Sequence, residues 1–318
     1  MLFEIIGATA VLIVGIVLMA YSSDKAVSHS LKIAAALKIS PLLIGLILVS
    51  LGTDLPEIVN SITSSAMGHA DINIGDSLGS ALTQITLVLG ILPFLAGKFD
   101  IRKKEVLVVG ACEVLALILT VSMAEKGYLT RINGLFLMAS WPVFVLLTRG
   151  VMANNNEQKD FGMGTLDEEH FNHLRHWIIA ILGFVGVAIG AFVVVQSVIT
   201  LSANLNVPEY LISFFVVAIG TSLPELVVDL TAIRKKQYEL AMGDIIGSCL
   251  IDASFSVGIG SFIFPQAISG ELASTTGLYT IFASILVISV LALGGKVDKR
   301  TGALFIFVYF LSYLLIGI

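Results

Sequence analysis

The chain has 318 residues, 57% of them hydrophobic and 13% charged, with a mean hydropathy of +0.97 and a net charge of −5. Soluble domains are about 25% charged and about half apolar, so this composition excludes a water-soluble fold and points to an integral membrane protein. With 18 Lys and Arg in an acidic balance there is no basic footprint for nucleic acid, and Cys112 and Cys249, both inside apolar runs, form neither a metal pattern nor a disulfide framework.

In chain order, ten apolar runs reach the ~20 residues needed to span a bilayer: roughly 2–21, 40–67, 72–97, 104–123, 132–150, 176–197, 208–233, 241–266, 274–294 and 301–318. The first has no basic leading segment and carries Glu4, so it reads as a span and not as a cleavable leader. The longest polar stretch, 151–175, holds Asn154, Asn155 and Asn156 and the acidic Asp167, Glu168 and Glu169. It is too short for a domain and reads as a linker between a five-span unit at 1–150 and another at 176–318. Sixteen of the 18 Lys and Arg fall in the loops after runs one, three, five, seven and nine; only Lys126 and Arg131 lie on the other side. The positive-inside bias makes the richer side cytoplasmic, linker included, and puts both termini outside the cytoplasm of a multi-pass cell-membrane protein. Trp141 and Trp177 fall near span ends, where interfacial tryptophan is common.

Two segments repeat without gaps at an offset of 168: Gly52-Thr53-Asp54-Leu55-Pro56-Glu57 answers Gly220-Thr221-Ser222-Leu223-Pro224-Glu225, and Gly75-Asp76-Ser77-Leu78-Gly79-Ser80 answers Gly243-Asp244-Ile245-Ile246-Gly247-Ser248. An odd number of spans per unit makes the second enter the membrane upside down, the inverted repeat common among secondary transporters. The predicted fold class is therefore all-α, with ten transmembrane helices as two inverted five-helix repeats.

Setting aside Glu4, Glu105 and Glu209 at the run ends, eight carboxylates lie inside these runs: Asp54, Glu57, Asp76, Glu113, Glu225, Asp229, Asp244 and Asp252. A charge at a helix centre costs about 2.5–3.5 kcal/mol on insertion scales, and the basic residues sit in loops or at span ends, so the missing countercharge is expected to be the substrate. Asp76, Ser80 and Gln84 are spaced i, i+4, i+8, as are Asp244, Ser248 and Asp252, so each set forms one polar stripe. The pairs Gly75/Gly79 and Gly243/Gly247 also predict close helix packing that brings the stripes against the second and seventh spans. There, Pro56 and Pro224 deprive the carbonyls of Gly52 and Gly220 of their helical donor, beside the hydroxyls of Thr53 and Thr221 and the carboxylates of Glu57 and Glu225. Carbonyl, hydroxyl and carboxylate oxygen without nearby His or Cys suits a hard cation; calcium takes 6–8 such ligands. Asp229, five residues before Arg234, reads as a solvated or paired end charge, and Glu113 has no repeat partner. His170, His173 and His176 read as a solvated face, and Tyr128 and Asn133 as loop chemistry.

The two motifs resemble the α-repeats of the calcium/cation antiporter superfamily, most nearly its sodium/calcium exchanger branch. The motifs cover the segments 50–84 and 218–252, and the span layout covers the whole chain. The resemblance implies a cluster of ion sites with Glu57 and Glu225 as central calcium ligands. Thr53, Thr221, Ser222, Ser80 and Ser248 would complete calcium or sodium sites, with backbone oxygens near Ser50 and Ala218. Asp252 matches the family's acidic position and Gln84 stands where an Asn is usual. It also implies alternating access by sliding of the first and sixth spans. Asp54 replaces the usual Ser, and Asp76 and Asp244 replace the usual Asn, which adds negative charge that three sodium ions or one calcium would not balance.

The expected function is exchange of calcium for sodium, with proton-coupled exchange of calcium or magnesium through Asp54, Asp76 and Asp244 as the alternative. No enzyme activity, cofactor or obligate protein partner is expected; the partners are small inorganic cations and lipid. A channel is disfavoured by the complete repeat in one chain, and an intramembrane aspartyl protease by the absence of Gly-x-Gly-Asp and Tyr-Asp signatures from the spans.

Overall fold

The computed structural model describes residues 2–36, 50–152, 173–234, 236 and 238–316. Residues 40–49 of the second apolar run, and most of the polar linker with His170, lie outside these. The first half comprises α1 (Leu2–Ala36), α2 (Ser50–Thr53), α3 (Leu55–Ala66), α4 (Ala70–Leu82), a π-helical turn at Thr83–Val88, α5 (Leu89–Ala96), β1 (Phe99–Asp100), α6 (Lys103–Ala124), β2 (Tyr128–Leu129) and α7 (Arg131–Met152). The second comprises α8 (His173–Leu205), α9 (Glu209–Ile212), a π turn at Ser213–Val217, α10 (Ala218–Thr221), α11 (Leu223–Arg234), α12 (Tyr238–Ile251), a π turn at Asp252–Ser256, α13 (Val257–Ile263), β3 (Gln266–Ala267), α14 (Gly270–Gly294), β4 (Lys296–Val297) and α15 (Lys299–Ile316). Among the described residues nine helical stretches are long and apolar enough to cross a bilayer. The chain is a multi-pass helical membrane protein.

Two helices overshoot their predicted spans. From Ser22 to Ala36, and from Ala191 to Leu205, no Gly or Pro interrupts the chain, so α1 and α8 continue past the apolar runs. Beyond the end of α8 stands Asn206 with φ 55°, followed closely by Pro208, a pairing that halts a helix. The short strands and the π turns, by contrast, have no counterpart among the predicted elements.

Hydrophobicity is turned outward. Val14, Leu146, Leu182, Phe282 and Phe307 are exposed, while every residue from Ile72 to Thr86 and from Asp244 to Ser254 is buried. Helices α4 and α12 are therefore central, enclosed on all sides by other helices. α1 and α8 pack against each other and against α3, with Gly186 against Ser22 and Gly190 against Met19.

Glycine sets how closely the bundle closes. A Cβ on Gly75 would strike the carbonyl oxygen of Tyr210, and one on Gly79 that of Phe214, so α4 meets the seventh span backbone to backbone. The matching expectation for the second pair holds only at Gly247, which faces Ser50; among the described residues nothing stands within 4 Å of a Cβ on Gly243. Two further crossings are reciprocal: Gly134 meets the Gly258 carbonyl and Gly258 that of Gly134, and Gly90 and Gly302 approach each other in the same way. These crossings exchange under the offset of 168, since Gly134 answers Gly302 and Gly90 answers Gly258. The strands follow suit: β1 pairs antiparallel with β4, Phe99 opposite Val297, and β2 with β3, Tyr128 opposite Ala267. Each ladder ties one half of the chain to the other.

Loop chemistry completes the frame. Asn133 accepts from the Thr130 backbone N–H at 3.0 Å and closes the start of α7. Asp298 accepts the backbone N–H groups of Arg300 and Thr301 at 3.0 and 3.1 Å. These bonds at the start of α15 hold its carboxyl below the usual range.

Gly79→Leu should force the fourth helix off the Phe214 carbonyl and destabilise the protein by at least the roughly 1–3 kcal/mol typical of overpacking. Gly7→Ala, where nothing among the described residues lies within 4 Å, should stay within about 0.5 kcal/mol of wild type. Thermal unfolding in detergent compares the two; equal Tm values would refute the backbone contact.

Candidate cation-binding site

Each half carries a broken helix. Pro56 has no N–H for the Gly52 carbonyl, and the chain turns at Asp54 with φ −74° and ψ 5° between α2 and α3. Pro224 acts alike: Ser222 turns with φ −80° and ψ 8° between α10 and α11. Only a short stretch of ladder is lost, since the Ile58 N–H still donates to Asp54 at 3.0 Å and the Leu226 N–H to Ser222 at 3.3 Å. The kinks project Asp54, Glu57 and Glu225 into one space, where a carboxylate oxygen of each lies within 4.8 Å of the others, all three side chains being buried.

The stripes of α4 and α12 line the same space, and each runs on into a π turn, where Gln84 and Asp252 sit. π turns recur at functional sites because the extra residue redirects side chains. Asp252 faces Asp54, Glu57 and Glu225. Gln84 and Ser248 approach Asp54 without closing a hydrogen bond. Ser80 donates to Glu57 Oε1 at 3.4 Å, or to the Thr221 hydroxyl at 3.2 Å; it has one proton for the two. Thr221 lies 3.2 Å from Asp76 Oδ1, to which it donates, and Asn60 Nδ2 donates to Oδ2 of the same Asp76 at 2.6 Å. Ser50 Oγ donates to Asp244 Oδ1 at 3.0 Å.

The structure thus gathers the predicted Asp54, Glu57, Asp76, Ser80, Gln84, Thr221, Glu225, Asp244, Ser248 and Asp252 around one centre. Other predicted residues are placed differently. The Ser50 carbonyl already accepts the Asp54 N–H at 2.9 Å and the Thr53 hydroxyl at 3.2 Å. The Ala218 carbonyl accepts the Ser222 N–H at 3.2 Å and faces the Thr221 hydroxyl at 3.4 Å. A cation would therefore compete with Thr53 and Thr221 for these oxygens. Ser222 Oγ is buried without a partner among the described residues.

Two expectations are corrected. Asp229 is neither solvated nor paired with Arg234: it is 0% exposed and lies against Asp244, because the i+4 spacing from Glu225 puts it on the face turned to the carboxylates. Asn60, three residues after Glu57, was also missed, and its signal was the same helical spacing. His176 is only half-buried, and its Nδ1 lies 2.8 Å from that of His29, so it joins α8 to α1 instead of forming a solvated face. Glu113 stands apart, accepting from Ser284 at 2.7 Å between α6 and α14.

Seven carboxylates, Asp54, Glu57, Asp76, Glu225, Asp229, Asp244 and Asp252, are each at most 1% exposed. Among the described residues no Lys or Arg pairs with them; the salt bridges lie elsewhere, as between His69 and Glu209 at 2.8 Å. Buried negative charge without a counterion is relieved by a proton or a bound cation. A bundle of membrane helices around such a centre defines a membrane transporter for small cations.

The sodium/calcium exchanger protein family matches residues 7–149 and, a second time, 175–317, segments offset by 168. The chain belongs to this family of antiporters and is not an enzyme. Inner membrane protein YrbG of Escherichia coli (strain K12) is 30% identical over 277 residues, covering 82% of this chain and 81% of its own. Sodium/calcium exchanger MaX1 of Methanosarcina acetivorans is 24% identical over 341 residues, covering 96% and 97%. A solved structure of the sodium-calcium exchanger NCX_Mj, soaked with 100 mM Na+ and 10 mM Sr2+, matches with a TM-score of 0.65 and 25% identity over 100% of both chains.

Like-charge repulsion predicts that cation-free protein is destabilised at its centre. Asp54→Asn should melt at a higher temperature than wild type in chelator. A hard divalent cation at about 100 times its Kd should stabilise wild type by about 2.7 kcal/mol. Identical melting of wild type with and without the cation would contradict this.

Proposed function

We propose that the chain is a secondary antiporter that exchanges calcium for sodium across the membrane by alternating access. The observation that carries this reading is the approach of Asp54, Glu57 and Glu225 within 4.8 Å at the breaks of two helices, without a basic partner among the described residues. Glu57 and Glu225 are the central calcium ligands. Thr53, Asp54, Thr221, Ser222, Ser80, Ser248, Gln84, Asp252, Asp76 and Asp244, with backbone oxygens at Ser50 and Ala218, complete the calcium and sodium positions. Coupling is competition, because the same carboxylates do not hold calcium and the driving ions together. The names of MaX1 and NCX_Mj as sodium/calcium exchangers support the ion pair.

Ten spans form two five-helix units, 1–150 and 176–318, inverted in the membrane and joined by a cytoplasmic linker at 151–175, with both termini outside the cytoplasm. In support, the glycine crossings and the strand ladders exchange at the offset of 168, and the Lys and Arg bias runs the same way throughout. The sliding elements are α1 and α8, which pack on each other at the flank of the central α4 and α12. A second reading, proton-driven exchange of calcium or magnesium, draws on the seven buried carboxylates, whose charge exceeds that of one divalent ion.

Protein reconstituted in liposomes should take up radioactive calcium under an imposed sodium gradient. Uptake under a proton gradient alone would transfer the coupling to Asp54, Asp76 and Asp244, and uptake under neither would refute calcium as substrate. Glu57→Gln and Glu225→Gln should each lower uptake by at least about 100-fold, the scale of removing one partner from a buried charged centre. Normal uptake in either variant removes the proposed site.

A further inference from the structure

We propose that Asp229 and Asp244, with the hydroxyl of Ser50, form a second subsite for a hard divalent cation beside the Asp54–Glu57–Glu225 centre. The inference rests on reading that centre as a cation site. Asp229 lies one helical turn beyond Glu225 on α11, and Asp244 one turn before Ser248 on α12. Both therefore sit nearer Lys236, between the two helices, than the main centre does. Asp229 is 0% exposed, and among the described residues no hydroxyl, amide or basic group donates to either of its oxygens; Asp244 accepts Ser50 Oγ at 3.0 Å through Oδ1, and no such donor reaches its Oδ2. The two carboxylates are within hydrogen-bonding reach of each other, and Asp54 faces both.

The first half shows what a closed version of this position looks like. At the offset of 168, Asp244 answers Asp76 and Asp229 answers Ser61. Both oxygens of Asp76 are occupied, by Asn60 at 2.6 Å and Thr221 at 3.2 Å, and Ser61 donates to the Ser256 carbonyl at 2.5 Å. Donors thus satisfy both oxygens of the acid in the first half. In the second half a carboxylate replaces the hydroxyl and no donor replaces Asn60, for Val228 stands there. A dication between Asp229 and Asp244 turns their repulsion into attraction and matches their two charges.

The ligand set selects the class of ion. Two carboxylates and a hydroxyl are hard oxygen donors, suited to calcium and its congeners and not to soft metals. The neighbouring Cys249 directs its sulfur to the Ala81 carbonyl at 3.5 Å and is not part of the set. The subsite lies toward Arg234 and Lys236, on the side richer in Lys and Arg. It is a stopping place for the ion on that side of the membrane alone.

Equilibrium binding of radioactive calcium to the purified full chain in sodium-free detergent tests this. Wild type should bind about two ions per chain, the number that two separate oxygen cages hold. Asp229→Asn should bind about half as much, keeping the tighter class, and Glu225→Gln should keep only the weaker. One ion in wild type, retained unchanged in Asp229→Asn, overturns the subsite and leaves the main centre standing. Loss of all binding in Asp229→Asn overturns it as an independent site. A single ion throughout, with only the pH dependence of binding altered, means a shared proton and equally overturns it. No binding in wild type defeats the main reading as well. Monodispersity by size exclusion guards against misfolding. If Asp229→Asn fails that check, Ser50→Ala is the deciding variant: it should weaken the second class several-fold, and unchanged binding overturns the subsite.

Discussion

Negative charge that the protein does not neutralise itself is the constraint on which this structure depends. Seven buried carboxylates face one another at the junction of α3, α4, α11 and α12, in an interior where desolvating each ion costs several kcal/mol. Donors relieve part of it: Asn60 and Thr221 at Asp76, Ser50 at Asp244, Ser80 at Glu57. Among the described residues no hydroxyl, amide or basic group donates to Asp54, Glu225, Asp229 or Asp252. A protein built only for stability would fill this space with leucine. The unfinished electrostatics is what gives a cation a reason to enter.

Backbone irregularity follows from the same centre. Irregular main chain is tolerated at membrane depth only where protein or a polar cavity satisfies it. Both proline breaks and the π turns carrying Gln84 and Asp252 are buried, wrapped by other helices. The lipid-facing helices α6, α7, α14 and α15 have no such π turns. Both proline breaks and two of the three π turns thus adjoin the gathered carboxylates, and regular elements enclose them.

Much of this was legible in the residues. Span lengths, the repeated Gly-Thr-x-Leu-Pro-Glu and Gly-Asp-x-x-Gly-Ser runs, and the i, i+4, i+8 stripes lead directly to the gathered carboxylates. The rest was hidden for physical reasons. A π turn depends on how neighbouring helices take up one extra residue, and nothing in Thr83–Val88 marks it locally. The ladders pair two-residue strands from opposite halves, far too short for an alternating pattern to reveal. Asp229 was misread because its distance from Arg234 along the chain drew attention from its distance to Glu225 around the helix. Gly243 shows the converse: an apparent packing motif whose first glycine meets nothing among the described residues.

The glycine contacts have a bearing on how such a protein can vary over time. Gly75 and Gly79 lie against carbonyl oxygens of the opposing span, and the Gly134/Gly258 and Gly90/Gly302 crossings are likewise main chain on main chain. The spacing of α4 from the seventh span, of α7 from α13 and of α5 from α15 is therefore set by peptide groups, which substitution does not resize. Side chains toward lipid can drift among apolar types without altering the spacing of the carboxylates. A sequence can thus diverge widely over its outer surface while the radius of the ion it accommodates stays fixed.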